Sequence, residues 1–271
     1  MPWGELAGAA LLLWLVLYPM ADLAGRRLQV NALIGDGRAL TVALTFDIES
    51  RRQWEEILAD LRAAGAPAAL FVTGQLALQH PDLARRTREE GHDLGSRGFT
   101  GQSPGRLSPW AAVADIRRGR AAVGAAAGAF PKWYRPGPGH ESLFSVWAPA
   151  WFGQRRVLGQ VRVTPAHQDP ARFVARFAFA GVVVRFEAGA ARPGLAGEVT
   201  ARLQAEGLAI GRLEELHPET SLVRRGWYWW EGEFTRRYDV ETLAASDGGP
   251  PMLRLGVAPY RGFPLLADGA E

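Results

Sequence analysis

The chain has 271 residues, 48% of them apolar, enough for one sizeable core with additions at either end. It has no cysteine, which excludes disulfides, thiolate metal sites and cysteine nucleophiles. The net charge is only +3, Lys132 is the only lysine, and the arginines are scattered without a basic stripe interleaved with aromatics, so nucleic acid is not an expected partner.

Leu6–Ala21 is a continuous apolar run, slightly short for a transmembrane helix and long for the core of a signal peptide. No small-x-small cleavage site follows it. Residues 1–27 therefore read as an uncleaved signal anchor, with a cleaved signal peptide as the alternative. Residues 28–39 read as a linker, with Gly35-Asp36-Gly37 as its turn signal.

Leu40–Phe46 alternates β-branched and apolar residues and predicts a buried strand ending at Asp47. Asp47 either caps the next helix or presents a carboxylate at the C-terminal edge of a parallel sheet. Trp54, Ile57, Leu58 and Leu61 recur at helical spacing, so Arg51–Ala64 predicts an amphipathic helix stopped by Gly65. Strand Ala68–Val72, helix Pro81–Glu90 and strand His92–Gly95 follow, and Ser108 caps a helix over Pro109–Ala127. Phe130–Tyr134 predicts a strand leading into Arg135, and Phe144–Phe152 an aromatic loop or short helix. Val157–Val163 alternates as one strand. Helix Pro170–Phe179, strand Val182–Phe186, helix Leu195–Glu206 and strand Leu208–Ile210 complete the series. Strands alternating with helices predict a parallel α/β sheet.

Residues 217–271 differ in character. Trp227, Trp230, Phe234 and Tyr238 form a stripe at helical spacing, either a core face docked on the preceding domain or a platform for sugar rings. Leu265–Glu271 stops in what reads as a turn, as a truncated chain would.

Several stretches, in order, resemble the polysaccharide deacetylases (the NodB-homology domain, carbohydrate esterase family four). Ala43–Ser50, ALTFDIES, resembles the motif TFDDGP; Ala69–Gly74 resembles ATFFVTG; His80–Leu83 through Glu90–Gly95 resembles the helix and strand before the second motif. Tyr134–Gly139, YRPGPG, resembles FRPPYG, Gly181–Gly189 sits where GxIxLLHDG belongs, and Leu195–Glu215 resembles the closing helix and strand. The resemblance covers residues 40–216 and implies a distorted (β/α) barrel with an N-terminal hydrophobic helix and a small C-terminal α+β extension. It also implies a metal-dependent esterase, with a divalent ion such as zinc, that removes acetyl groups from a glycan outside the cytoplasm. Arg26 and Arg27, following the apolar run, would by the positive-inside rule place the domain inside instead.

The resemblance implies a catalytic base at Asp47, metal ligands at the positions of Ile48, Arg97 and Gly101, an oxyanion donor near Pro138 and a general acid at the position of Glu187, with Arg135 retained. Ile48 has no donor atom, Arg97 is a cation and Gly101 has no side chain, so all three ligand positions are lost and no metal cofactor is expected. Relocated ligands would have to come from Asp47, Glu49, His92, His140, Glu141, His167 and Glu187. Without a metal, Asp47, Glu49 and Glu187 are expected to face one another, neutralised by Arg97, Arg135 and Arg185, with Arg97 in the electrostatic place of the ion. Trp133, Tyr134 and Pro138 are expected to line the groove with Arg97 and Glu49. Exposed tryptophans at the rim (Trp110, Trp133, Trp147, Trp151) would favour glycan binding, and buried ones scaffolding. The sequence thus points to a membrane-anchored, extracytoplasmic, non-hydrolytic family member binding a polysaccharide or an envelope protein; the alternatives are an active deacetylase with relocated ligands and a secreted protein.

Overall fold

The computed structural model describes residues 32–33, 40–138 and 143–216. The apolar run, most of the linker, His140, Glu141 and the aromatic tail lie outside them.

The strands are β1 (Ala32–Leu33), β2 (Thr41–Asp47), β3 (Ala69–Val72), β4 (Asp93–Ser96), β5 (Trp133–Tyr134), β6 (Arg155–Val157), β7 (Val161–Val163), β8 (Val183–Phe186) and β9 (Ala209–Ile210). The helices are α1 (Arg51–Ala64), α2 (Gly74–Gln79), α3 (Pro81–Glu89), α4 (Pro109–Ala127), α5 (Leu143–Trp151), α6 (Pro170–Phe177) and α7 (Leu195–Ala205). Every pairing is parallel and the sheet runs β1-β6-β5-β4-β3-β2-β8-β7. β9 pairs the start of β2, Thr41 and Val42, while β3 pairs its end.

The sheet is strongly curled, and the chain itself shows why. β6 and β7 lie towards opposite ends of the strand order, yet only Leu158–Gln160 joins them. Four residue steps span at most about 15 Å, so the two ends of the sheet must approach one another. Gln160 makes the seam, its backbone N donating to Val183 O (2.9 Å) and its Oε1 accepting from Val183 N (2.9 Å). Gly159 is needed there because a Cβ would stand 2.2 Å from Arg185 Cβ. The single strand expected over Val157–Val163 is therefore two strands. Alternation continues through an extended connector, so periodicity alone does not reveal the crossing.

Residue alternation sorts each strand into two layers. Leu44, Phe46, Leu70, Val72, Leu94 and Val184 face outward and pack with Trp54, Ile57, Leu58 and Leu61 of α1. Each such buried side chain contributes about 1.5–3 kcal/mol. The indole of Trp54 donates to Thr87 Oγ1 (2.9 Å), which donates to Leu83 O (2.7 Å), joining α1 to α3. Ala43, Ala69, Phe71, Trp133, Val157 and Val183 fill the barrel interior, with Leu213 and Leu216 in the same cluster. Ser50 caps α1, its side chain accepting from Gln53 N, which leaves Asp47 free for another role.

Candidate functional site

The C-terminal ends of the strands bring charged side chains into the barrel. Asp47 ends β2, Arg97 follows β4, Arg135 follows β5 and Arg185 lies in β8. Arg135 is fully buried and crosses the interior from β5 to β2. Its Nη1 donates to Asp47 Oδ1 (2.9 Å), its Nη2 to Thr45 Oγ1 (2.6 Å) and its Nε to Val157 O (3.3 Å). The guanidinium lies 4.0 Å over the ring of Phe71. Thr45 passes the chain on, donating to Val184 O (2.8 Å) on β8. Arg185 holds the other carboxylate oxygen, with Nη2 at 2.6 Å and Nε at 2.9 Å from Asp47 Oδ2.

Arg97 stands further off. Its Nη2 is 3.9 Å from Asp47 Oδ2 and its Nη1 is 3.5 Å from Glu49 Oε1. Its side chain is only 4% exposed, whereas Glu49 reaches into solvent. Gln53 fixes the backbone between the two acids, donating to Asp47 O (3.1 Å) and accepting from Glu49 N (2.9 Å). Burial raises a carboxyl pKa, yet Arg135, Arg185 and Arg97 outweigh it and hold Asp47 far below the usual carboxylate range. Burial lowers the Arg135 pKa to about 9 against the pull of Asp47, so both partners are charged at neutral pH.

Arg185, not Arg97, thus makes the close contact at Oδ2, because the neighbouring strand places two donors of its guanidinium, Nε and Nη2, on that one oxygen. Glu187 does not join the cluster through Arg185; it is ion-paired with Arg162 on β7. Trp133 and Tyr134, expected in the groove, are both buried: Trp133 points into the barrel, and Tyr134 packs outward with Ile116 and Ala148. Pro138 is exposed.

The three ligand positions do not fit a divalent ion. Ile48 is fully buried in the outer core with Trp54 and its neighbours. Arg97 is a buried cation. Gly101 has φ +74°, and a Cβ there would stand 2.6 Å from Thr73 Cγ2. Relocated ligands do not converge either: among the described residues no group of three His, Cys, Asp or Glu side chains is placed to hold a metal. His92 precedes β4 at the opposite end of the sheet, and His167 Nδ1 is hydrogen-bonded within the Thr164 turn.

Asp115 of α4 is a structural anchor that the motifs do not reveal. Its carboxylate accepts from Phe99 N (3.0 Å), Thr100 N (3.0 Å) and Thr100 Oγ1 (2.9 Å), fixing the loop that carries Arg97 and Gly101. The signal available was only an isolated acid in an alanine-rich helix. Trp110, 74% exposed, begins α4 and packs against Phe144 at the start of α5, with ring centroids 5.5 Å apart. Helices leave the strands from their C-terminal ends, so this pair lies on the same end of the barrel as Asp47. Trp147 and Trp151 are exposed further along α5.

Residues 35–146 match the family model for polysaccharide deacetylase, and the barrel agrees with it. The barrel is that of the polysaccharide deacetylases, whose family model the chain matches over those residues. A family 4 carbohydrate esterase from Streptomyces lividans, in complex with acetate, is 25% identical with a TM-score of 0.59, over 68% of this chain and 96% of that one. A family 4 pseudoenzyme from Bacillus anthracis has the same fold at 17% identity, with a TM-score of 0.62 over 68% of this chain and 67% of that one. A mutant of that pseudoenzyme with restored enzymatic activity is 19% identical, with a TM-score of 0.60 over 68% of this chain and 70% of that one. No curated protein matches the chain. In this barrel Asp47 and Arg135, the positions that the resemblance singles out, are ion-paired with each other.

Proposed function

We propose that this polysaccharide deacetylase barrel is non-hydrolytic and binds a glycan at the groove over its former active site. One observation carries the reading: both oxygens of Asp47, the position of the family's base, are held by Arg135 and Arg185. A carboxylate held that far below its ordinary pKa is a poor proton acceptor. The three ligand positions supply no donor for a metal that would activate water. The Trp110–Phe144 pair offers an exposed aromatic face at that end of the barrel, suited to stacking on sugar rings. The apolar run Leu6–Ala21 supports a tether to the membrane, and the family resemblance, against the charges of Arg26 and Arg27, supports a barrel on the extracytoplasmic face.

The test incubates the full chain with N-acetylated chitin and peptidoglycan oligomers, with and without added zinc or cobalt. The expected result is no acetate release, together with polysaccharide co-sedimentation that Trp110→Ala weakens. Metal-dependent acetate release would overturn the proposal and make the protein an active esterase.

A further inference from the structure

The site has an imbalance of charge. Three guanidinium groups, from Arg97, Arg135 and Arg185, face one buried carboxylate, Asp47. Arg135 and Arg185 are satisfied by it at 2.6–2.9 Å. Arg97 is not: neither of its carboxylate contacts is shorter than 3.5 Å, and its buried Nε has no hydrogen-bond partner among the described residues. A cation taken this far from water without a close counter-ion is costly to the folded chain. Its second neighbour, Glu49, is on an exposed side chain and can swing into solvent.

We propose that Arg97, beside Arg185, is a seat for an oxyanion carried by the glycan, a carboxylate, phosphate or sulfate group, and that Glu49 is the chain's own carboxylate displaced when it binds. The inference rests on the glycan-binding reading and adds the chemical class of the ligand. Arg97 suits the task because a planar guanidinium pairs oxyanions through two parallel N–H donors. The second arginine raises the local positive potential, and Asp47 is fully engaged and cannot compete. Glu49, at the long distance of 3.5 Å, competes weakly. An acidic saccharide therefore gains a charge-assisted contact that a neutral one cannot make.

The test titrates the full chain at constant ionic strength with glucuronic acid, glucose 6-phosphate, glucose 6-sulfate and neutral glucose, read by calorimetry. The anionic probes are expected to bind and glucose is not, and the ranking of the three distinguishes the source of the oxyanion. Glu49→Gln is expected to tighten anion binding several-fold by removing the competitor. Arg97→Met, which keeps the apolar stem, is expected to weaken it by about tenfold or more. Should Arg97→Met fail to fold, Glu49→Gln decides alone. Equal binding of glucose and glucuronic acid, or weaker anion binding in Glu49→Gln, would overturn the seat. Neutral chitin oligomers that bind unchanged in both variants would overturn the seat and leave the glycan reading standing. Anion binding without binding of any polysaccharide would do the reverse.

Discussion

Asp47→Asn separates a structural acid from a catalytic one. The substitution keeps the shape of the side chain and one acceptor oxygen, but removes the only charge that, among the described residues, faces Arg135 and Arg185 at hydrogen-bonding distance. Arg135 is fully buried and cannot turn to water. Breaking a buried pair by removing one partner costs about 3–5 kcal/mol, because the surviving charge is left uncompensated. The acceptor retained by Asn places the expected loss at the lower end, about 3 kcal/mol. Urea unfolding followed by tryptophan fluorescence reads this directly. With a slope of about 2 kcal/mol/M, the midpoint falls by about 1.5 M at unchanged slope. A carboxylate poised to accept a proton and held only loosely would behave differently, and its removal would leave the midpoint where it was. A loss below about 1 kcal/mol would refute the reasoning.

The acid limb of stability carries the same signature. The folded pKa of Asp47 lies below its unfolded value of 3.8, so the stabilisation is complete above that value and is lost as the pH falls below about 4. The Asp47→Asn variant should lack that share of the acid dependence in denaturation curves taken from pH 6 to 3. Arg97→Met should not lower stability in the same urea assay, because it removes repulsion along with a buried charge that has no close partner, and a loss above about 1 kcal/mol would count against that reasoning. Refilling the ligand positions, Ile48→Asp with Arg97→His and Gly101→His, should give no stoichiometric zinc binding by calorimetry. Position 101 resists any side chain through its left-handed backbone and Thr73, and position 48 is in the outer core. Asp115→Ala should destabilise by about 2 kcal/mol in the same urea assay, since three donors lose one charged acceptor.

Elements with strong local signals were legible in the sequence. Helix α1 has the predicted span because Ser50, the apolar periodicity and Gly65 agree. Asp47 and Arg135 could be placed at one site because a family resemblance fixed their motifs. The partners could not be assigned from sequence: Arg185 and Arg97 compete for the same oxygen, and only strand register, Thr45 opposite Arg185, decides between them. Trp133 and Tyr134 lie in the core and not in the groove for a similar reason. Next to a site motif they read as groove residues, but a two-residue strand sends one into the interior and the other into the helix layer. Helix α2, only six residues long, is not legible in the sequence because it is too short for a periodic pattern. The crossing at Leu158–Gln160 is a purely tertiary event, set by how far the sheet curls.

The interior position of Arg135 bears on how the barrel keeps its shape. It emerges beside β5, bonds a carbonyl on β6, stacks on β3 and binds both Thr45 and Asp47 on β2. Four strands that would otherwise meet only through their edges are thereby tied through the lumen by one side chain. A centre assembled from loosely held ions could be stripped by a chelator. This one is encoded in the chain, so the barrel carries its own internal brace wherever it folds, whatever the mineral content of its surroundings.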